Sequence, residues 1–444
     1  MSESRFFSHI PTTITKCFIY FLYTLIHFGE QLFTIIPFNG LTLFHKLISM
    51  STVQSVSEKY NARGVSATKE EVHAAIKNLD KGIFPQAFCK IYPDYITHDE
   101  NYCLISHADG AGTKSILSYL YYKETGDISV WENISQDAIV MNTDDLICVG
   151  ATDDMCFTST IGRNKSHIDG TILAAVINGS AAFFETMKKQ DVKIHFMGGE
   201  TADVGDLVRT MIIDGTITCR MKRNDVIDNA NIQAGDVIVG FESFGQTTYE
   251  TEYNSGIGSN GITSARHDVM NKFYENAFPE SFDPMLSESV RFTGNCRLTD
   301  IEPETKITVG KLLLSPTRTY LPVVKKIFEA IDRKNIHGMV HCSGGGQTKV
   351  LHFVNNLHII KDDLFSPPPV FKLIQQQSKT DWKEMYQVFN MGHRLEMYVP
   401  ETIAQQLIQI ASSFNMNAKI IGRVESSDTK QVTIQSEFGT FHYS

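Results

Sequence analysis

The chain has 444 residues, too many for one ordinary core, so two domains of about 150–250 residues each are expected. A composition of 42% hydrophobic and 20% charged residues belongs to a globular protein, and a formal net charge of −10 argues against a nucleic-acid partner, which usually meets a basic stripe. An anionic small molecule stays admissible, because a few local donors can hold a phosphate without a basic surface.

The cysteines form no C-x-x-C pair, and several sit in apolar runs such as Leu146-Ile147-Cys148-Val149. That usage reads as buried thiols in a reducing, cytoplasmic setting rather than disulfides or a zinc site. Residues 1–49 differ from the remainder. Lys16 and Glu30 bracket one apolar run, and Glu30 and Lys46 a second that Pro37 and Gly40 interrupt. Each is shorter than the roughly 20 residues a spanning helix needs. No small-residue cleavage site follows, so a signal peptide fits poorly. The segment is expected to lie outside the native fold, with Met50 as the natural start. A membrane-associating anchor and a packed extension are the alternatives.

Helix and strand patterns alternate after Met50. Residues 66–79 are expected to form a helix capped by Ser66 or Thr68, with Val72, Ala75, Ile76 and Leu79 on one face. Residues 102–107 read as a strand, 135–149 as a helix, 155–161 as a strand and 169–189 as a long helix. A strand over 192–197 is expected to run into a Gly198-Gly199 turn, and 211–221 is rich in β-branched residues. The polar stretch 229–235 puts a domain boundary near residue 225. Next come an apolar run from 236, a helix over 262–273 and a helix over 317–333. A strand at 338–342, a helix at 347–356, a strand at 394–399, a helix at 401–413 and a strand at 418–424 follow. A hairpin of 431–436 with 440–443 ends the chain. Such alternation predicts an α/β or α+β fold in each half.

Several strings carry chemistry. Asp109-Gly110-Ala111-Gly112-Thr113-Lys114 ends a strand and opens a helix. Its glycines let the backbone approach a phosphate, Lys114 supplies a compact charge and Asp109 a hard oxygen for Mg²⁺. It is not a Walker A loop, and a tight turn with a solvated lysine would use the same letters. Asp144 and Asp145 lie inside an apolar helix where both cannot face solvent, so one is a candidate metal ligand, with Asp145 preferred. Gly198-Gly199-Glu200-Thr201 permits close ligand approach, with Glu200 facing a metal or a ribose hydroxyl. In the second half Ser259-Asn260-Gly261 precedes a helix, as either a phosphate loop or a plain cap. His341-Cys342-Ser343-Gly344-Gly345-Gly346 repeats the strand–glycine–helix logic. His341 is a candidate for proton transfer or substrate contact, and Arg318 for binding carboxylate or phosphate.

In this order the strings resemble the aminoimidazole ribonucleotide synthetase family, in a divergent branch. The match extends from about Tyr60 to the C-terminus. Its most specific parts are Ser315-Pro316-Thr317-Arg318-Thr319-Tyr320 and Met385-Tyr386-Gln387-Val388-Phe389-Asn390-Met391-Gly392. The resemblance implies a two-domain α/β subunit of mixed sheets with flanking helices. Residues 50–225 would bind ATP and Mg²⁺ and dimerise, and residues 226–444 would bind substrate. It implies ATP-dependent closure of formylglycinamidine ribonucleotide to aminoimidazole ribonucleotide by a cytoplasmic homodimer, with no nucleic acid and no membrane involved. ATP would contact Asp109, Gly110, Gly112, Thr113, Lys114, Gly199, Glu200 and Thr201. Asp109, Asp145 and Glu200 would hold Mg²⁺. Substrate would meet Ser259, Asn260, Gly261, Arg318 and His341, with Lys114, His341 and Asn390 catalytic.

Two departures from the family pattern stand out. Residues 81–89, Lys-Gly-Ile-Phe-Pro-Gln-Ala-Phe-Cys, replace a run of glycines. Residues 256–261 lack the family's histidine and follow an insertion around 246–255. Another superfamily phosphotransferase, or a non-catalytic nucleotide-binding partner, is the competing reading.

Overall fold

The structure, a computed structural model, describes residues 62–65, 75 and 77–444. The expected extension over 1–49, the start at Met50 and nearly all of the helix over 66–79 lie outside the described residues.

Two mixed sheets organise the fold. The first comprises β1 (Ile91–Pro93), β2 (Tyr102–Gly110), β3 (Met155–Arg163), β4 (Ile194–Asp203) and β5 (Met211–Lys222), in the order β1-β2-β5-β3-β4. Only β3 and β4 run parallel. Along β5 burial alternates: Met211, Ile213, Ile217 and Cys219 point inward, while Ile212 and Thr216 are exposed. That pattern marks a sheet covered on one face. The cover is α2 (Ser129–Ile147) and α3 (Gly170–Lys189), with α1 (Lys114–Thr125) packed beside α2.

Asp169 starts α3 by accepting from the N–H groups of Thr171 and Ile172 at 2.9 and 3.0 Å. By length and composition α3 could cross a membrane, yet Ile172, Val176, Phe183 and Met187 form a stripe buried in the packing.

The second sheet comprises β6 (Val237–Glu242), β7 (Gly338–His341), β8 (Leu357–Lys361), β9 (His393–Val399), β10 (Ala418–Ser426), β11 (Gln431–Ser436) and β12 (Gly439–Tyr443). Its order is β12-β11-β8-β10-β6-β9-β7, and only β8 and β11 are parallel. Helices α4 (Ile262–Val269), α5 (Phe273–Ala277), α6 (Val309–Leu314), α7 (Leu321–Ala330), α8 (Pro369–Ser378), α9 (Trp382–Val388) and α10 (Glu401–Ser413) belong to this half. α7 buries Leu321, Val323, Val324 and Ile327 and leaves Glu329 exposed. Each such burial is worth about 1.5–3 kcal/mol. Interior side chains of both sheets meet in one core, where Ile105 and Phe157 share a cluster with Val239 and Leu395.

Three expectations need correction. The helix over 317–333 begins only at Leu321, because residues 316–320 form an irregular run tied to neighbours through their backbone and side chains. The helix over 347–356 is a 3-10 turn, Gly346–His352. Gly198-Gly199 does not end its strand but forms a bulge inside β4, where the pairing register with β3 shifts and Gly198 takes φ 95°. At Gly199 a Cβ would lie 2.4 Å from the Ser159 carbonyl oxygen, so the close strand approach requires glycine.

Candidate active site

α2 buries 14 of its 19 residues, including Asp137, Asn142 and Asp144, and buried polar groups must find partners. Successive residues point about 100° apart on a helix, so Asp144 and Asp145 face different neighbours. Asp144 accepts from Thr319 Oγ1 at 2.7 Å and from the Tyr320 N–H at 3.1 Å, which fixes the entry to α7. Burial pushes its carboxyl up. Asp145 instead accepts from His341 Nδ1 at 2.7 Å and from His107 Nε2 at 3.2 Å. Burial opposes its charge, but the hydrogen bonds from His107 and His341 hold it well below the usual carboxylate range.

His107, on β2, is the more open of these two histidines, with 24% of its side chain exposed. Its Nδ1 lies 3.0 Å from Asn142 Oδ1. Asn142 Nδ2 donates to the carbonyls of Asp109, Ala138 and Gly215, so its oxygen must face the ring. Both ring nitrogens of His107 therefore donate, and the side chain is an imidazolium. Burial disfavours that charge, but Asp145 first and Asn142 next carry its pKa up to about 9.

Lys114 corrects the sequence expectation. Its ammonium is fully buried and donates to Asp137 Oδ1 at 2.8 Å and to the Ser315 carbonyl at 2.6 Å, so it lies beneath the glycine loop rather than facing a ligand. Burial lowers its pKa, and Asp137 opposes that shift. Asp137 is the hub of the site floor: its Oδ1 also accepts from Ser259 Oγ at 3.0 Å and from the Thr317 N–H at 2.9 Å. Thr113 Oγ1 lies 2.6 Å from Thr263 Oγ1. Through these contacts residues 110–114, 259–263 and 315–317 converge.

Asn260 joins the same place, its Oδ1 lying 3.6 Å from where a Cβ on Gly344 would sit. His341 is fully buried, and both ring nitrogens are engaged, Nδ1 by Asp145 and Nε2 by the Nε–H of Arg394 at 3.0 Å. Asn390 spends its amide on the loop before α4. It accepts from Ser243 Oγ at 2.8 Å and the Gly392 N–H at 3.0 Å, and donates to the Gly256 carbonyl at 2.8 Å. Both side chains, expected to be catalytic, spend their polar atoms on protein partners. Arg318 is fully buried in a two-pronged pair with Glu250, at 3.0 and 2.7 Å, so it holds the 246–255 insertion rather than a substrate.

The three expected metal ligands are not gathered at one point. Asp109, Gly215, Ser159 and Gly199 follow one another across β2, β5, β3 and β4. Three strand spacings separate Asp109 from the Gly199-Glu200-Thr201 segment, about 14 Å. Glu200 is exposed and bonds the N–H of Thr201 at 3.0 Å. The oxygens of Asp145 are occupied by the two histidines. Cys89, His107 and Asp145 do place one donor atom each within 4.8 Å of one another, but sulfur and nitrogen suit softer cations than Mg²⁺. Asp109 and Asp214 are neighbouring carboxylates where β2 meets β5, but Asp109 pairs with Gly215 and Asp214 with Gly110, so they stand on opposite faces of the sheet. The Asp214 carboxylate lies over Gly110, and burial together with Asp109 pushes its pKa up.

Residues 81–89 bridge the two halves. Cys89 Sγ donates to the Asp145 carbonyl at 3.1 Å, Gln86 to the Phe353 carbonyl at 2.8 Å, and Phe88 stacks on Phe353 at 5.1 Å.

Residues 90–221 match the AIR synthase related protein, N-terminal domain, and residues 233–435 match its C-terminal domain. The chain belongs to the AIR synthase related family. It is 30% identical over 330 residues to a phosphoribosylformylglycinamidine cyclo-ligase of Methanocaldococcus jannaschii, covering 74% of this chain and 79% of that protein. It is 28% identical over 382 residues to the protein of the same name from Methanosarcina acetivorans, covering 84% and 97%. Among solved structures it is similar to AaThiL complexed with AMPPCP and TMP, at 14% identity and a TM-score of 0.48, covering 84% of this chain and 95% of that one.

Sequence reasoning did not single out His107, Asn142, Asp137, Asp214, Glu250 or Arg394. One signal was available: Asp137, Asp144 and Asp145 recur at i, i+7 and i+8, one face of an otherwise apolar helix.

Proposed function

We propose that the chain closes formylglycinamidine ribonucleotide to aminoimidazole ribonucleotide at the expense of ATP. The observation that carries this reading is the match to named cyclo-ligases over most of both chains, with the glycine loops of this chain converging on one floor. The formamide oxygen takes the γ-phosphoryl group and ADP leaves. The amidine-side nitrogen then attacks the formyl carbon, a proton is lost and phosphate departs.

Asp109 would offer a hard oxygen to Mg²⁺, which would neutralise charge on the nucleotide phosphates. The Gly110–Thr113 backbone would cradle those phosphates, and the His107 imidazolium would supply the positive charge that the buried Lys114 does not deliver. Asp145 keeps that imidazolium oriented, with His341 and Arg394 holding Asp145 from behind. Asn390, Lys114 and Arg318 shape the loops. Glu200 and Thr201 stay candidates for the nucleotide from the far strand.

The reading includes a homodimer joined through the open face of the first sheet, where Thr158, Thr160 and Thr216 are exposed. Light scattering reporting a monomer at working concentration would remove that part alone.

The test of the reaction is incubation with ATP, Mg²⁺ and formylglycinamidine ribonucleotide. Aminoimidazole ribonucleotide and ADP in equal amounts are expected. No such product, together with phosphoryl transfer to a different small phosphorylated substrate, would replace this reading with another phosphotransferase.

A further inference from the structure

The backbone N–H groups of residues 258–261, in the loop before α4, meet no acceptor among the described residues, and Ala265 donates to the Gly261 carbonyl at 3.0 Å. Asp169 caps α3, Thr308 caps α6 through Lys311 at 3.2 Å and Asp381 caps α9, whereas α4 starts without a side-chain cap, as do α1, α2, α5, α7, α8 and α10. Just upstream, the carbonyls of Gly256 and Ile257 turn inward to Asn390 Nδ2, at 2.8 and 3.5 Å. The loop into α4 thus offers a row of donors at the positive end of a helix.

Beneath it lies a cation with no ion-pair partner among the described residues, acted on only at longer range by the buried Asp144 carboxylate. Arg394 is 1% exposed. Its Nε donates to His341 and its Nη2 to the Arg318 carbonyl, while its Nη1 is buried with no partner. Lys114, Arg318 and Lys361 are each paired with a carboxylate, whereas Arg394 makes no ion pair among the described residues. Its Nη1 lies 3.4 Å from the point a Cβ on Gly258 would occupy, so glycine at this position, with φ 68°, leaves the guanidinium uncovered on the loop side. A buried, unpaired cation is costly unless an anion completes it.

We propose that Arg394 determines substrate specificity by seating the phosphate monoester of the sugar-phosphate substrate in the 258–261 loop. Its Nη1 supplies the charge and the backbone N–H groups supply the remaining donors. This assignment rests on the ring-closure reading above. The same phosphate chemistry could come from ATP. The loop meets the Gly110–Thr113 turn at Thr263 and the Gly344 turn at Asn260, and Arg394 belongs to the second half that the reading gives to substrate, so the sugar phosphate is the assigned occupant and the two KM values tell it from ATP.

The experiment uses the full chain. In wild type, inorganic phosphate should slow hydrogen exchange at residues 258–261. In Arg394→Gln that protection should vanish, and the KM for formylglycinamidine ribonucleotide should rise about 10- to 100-fold, the loss of one charge-assisted contact. The KM for ATP should rise clearly less than the substrate KM, because Arg394 Nη1 faces Gly258 and reaches the nucleotide side only through His341 and Asp145. Arg394→Lys should recover part of the loss, since it keeps the charge without the fork.

Equal protection in wild type and Arg394→Gln, or a rise confined to the KM for ATP, overturns the assignment. If Arg394→Gln fails to fold, Arg394→Lys and exchange in wild type carry the test, and no protection in wild type sinks it. Arg394-dependent protection without aminoimidazole product would refute the ring-closure reading and leave the anion site standing. Product formation with an unchanged substrate KM would do the reverse.

Discussion

The core of the second sheet and the floor of the cleft both bury charge, and they complete it differently. In the second sheet Lys361 and Glu396 form a fully buried pair. Glu396 also accepts from His393 at 3.0 Å and from Tyr398 at 2.7 Å, while Lys361 donates to the Gln347 carbonyl at 2.7 Å and Gln347 to the His393 carbonyl at 3.1 Å. Burial works against Glu396, but Lys361 and His393 pull its pKa down to about 2. Among the fully buried side-chain polar atoms, none of Lys361, Glu396, His393, Gln347 or Tyr398 lacks a partner. On the cleft floor the same kinds of residue stop short of closure: Arg394 Nη1 and Asp137 Oδ2 are buried without partners. A closed network is structure, and an open one beside a glycine loop has capacity left for a ligand.

Breaking the closed network should give the largest effect. Lys361→Met strands a buried carboxylate and should cost about 3–5 kcal/mol of stability by denaturant unfolding, while nucleotide affinity of the folded fraction stays unchanged. A cost under about 1 kcal/mol would mean the network is not a closed structural unit. The open side is probed by Asp145→Asn, which removes the negative charge between His107 and His341 and turns one of the two acceptor oxygens into a donor. Turnover should fall on the order of 100-fold, the lower end of what a positioned acid–base group contributes, with little change in melting temperature. Unchanged turnover would remove Asp145 and His107 from the mechanism. Arg318 and Glu250 form an intermediate case, closed but built on the insertion. A double-mutant cycle should give a coupling of about 1.5–3 kcal/mol in stability, with the substrate KM unmoved in Arg318→Met once the folded fraction is counted. A KM rise confined to Arg318→Met would return Arg318 to substrate binding.

Element types were largely legible because period-2 and period-3.6 patterns report burial directly: α10 and the terminal hairpin strands begin and end close to where the pattern places them. The irregular run before α7 was not legible. Nothing local says that Asp144, on another helix, will accept from Thr319 and Tyr320 and delay the helix. The site was legible as a set of strings and not as a set of directions. Lys114, Arg318 and His341 carry the right chemistry, but their partners Asp137, Glu250 and Arg394 lie 23, 68 and 53 residues away. Spacing along the chain cannot show that those partners consume the very atoms a ligand would need.

The smallest test concerns another unpaired atom, on the helix that the loop opens, and it separates a ligand vacancy from simple neutrality. His267 is fully buried, its Nδ1 accepts from the Phe292 N–H at 3.2 Å, and its Nε2 has no partner. Asp268, the neighbouring carboxylate, is paired with Arg63. Burial, then the positive charges of Arg266, Arg63, Arg291 and Lys272, press its pKa down to about 2. The folded chain therefore keeps the ring neutral while the unfolded chain takes up a proton below its ordinary value of 6.5. Unfolded protein binds more protons in that window, so the stability contribution is fully present above 6.5 and declines as pH falls toward 2. The full slope is about 1.4 kcal/mol per pH unit for one proton. His267→Gln, which cannot titrate, should flatten the stability profile between about pH 6 and 4 by that amount, and phosphate should leave both profiles parallel. If phosphate instead restored stability only where His267 is present, this unpaired nitrogen would belong with Arg394 as a ligand contact, and open polar atoms would have to be read as sites wherever they occur in the fold.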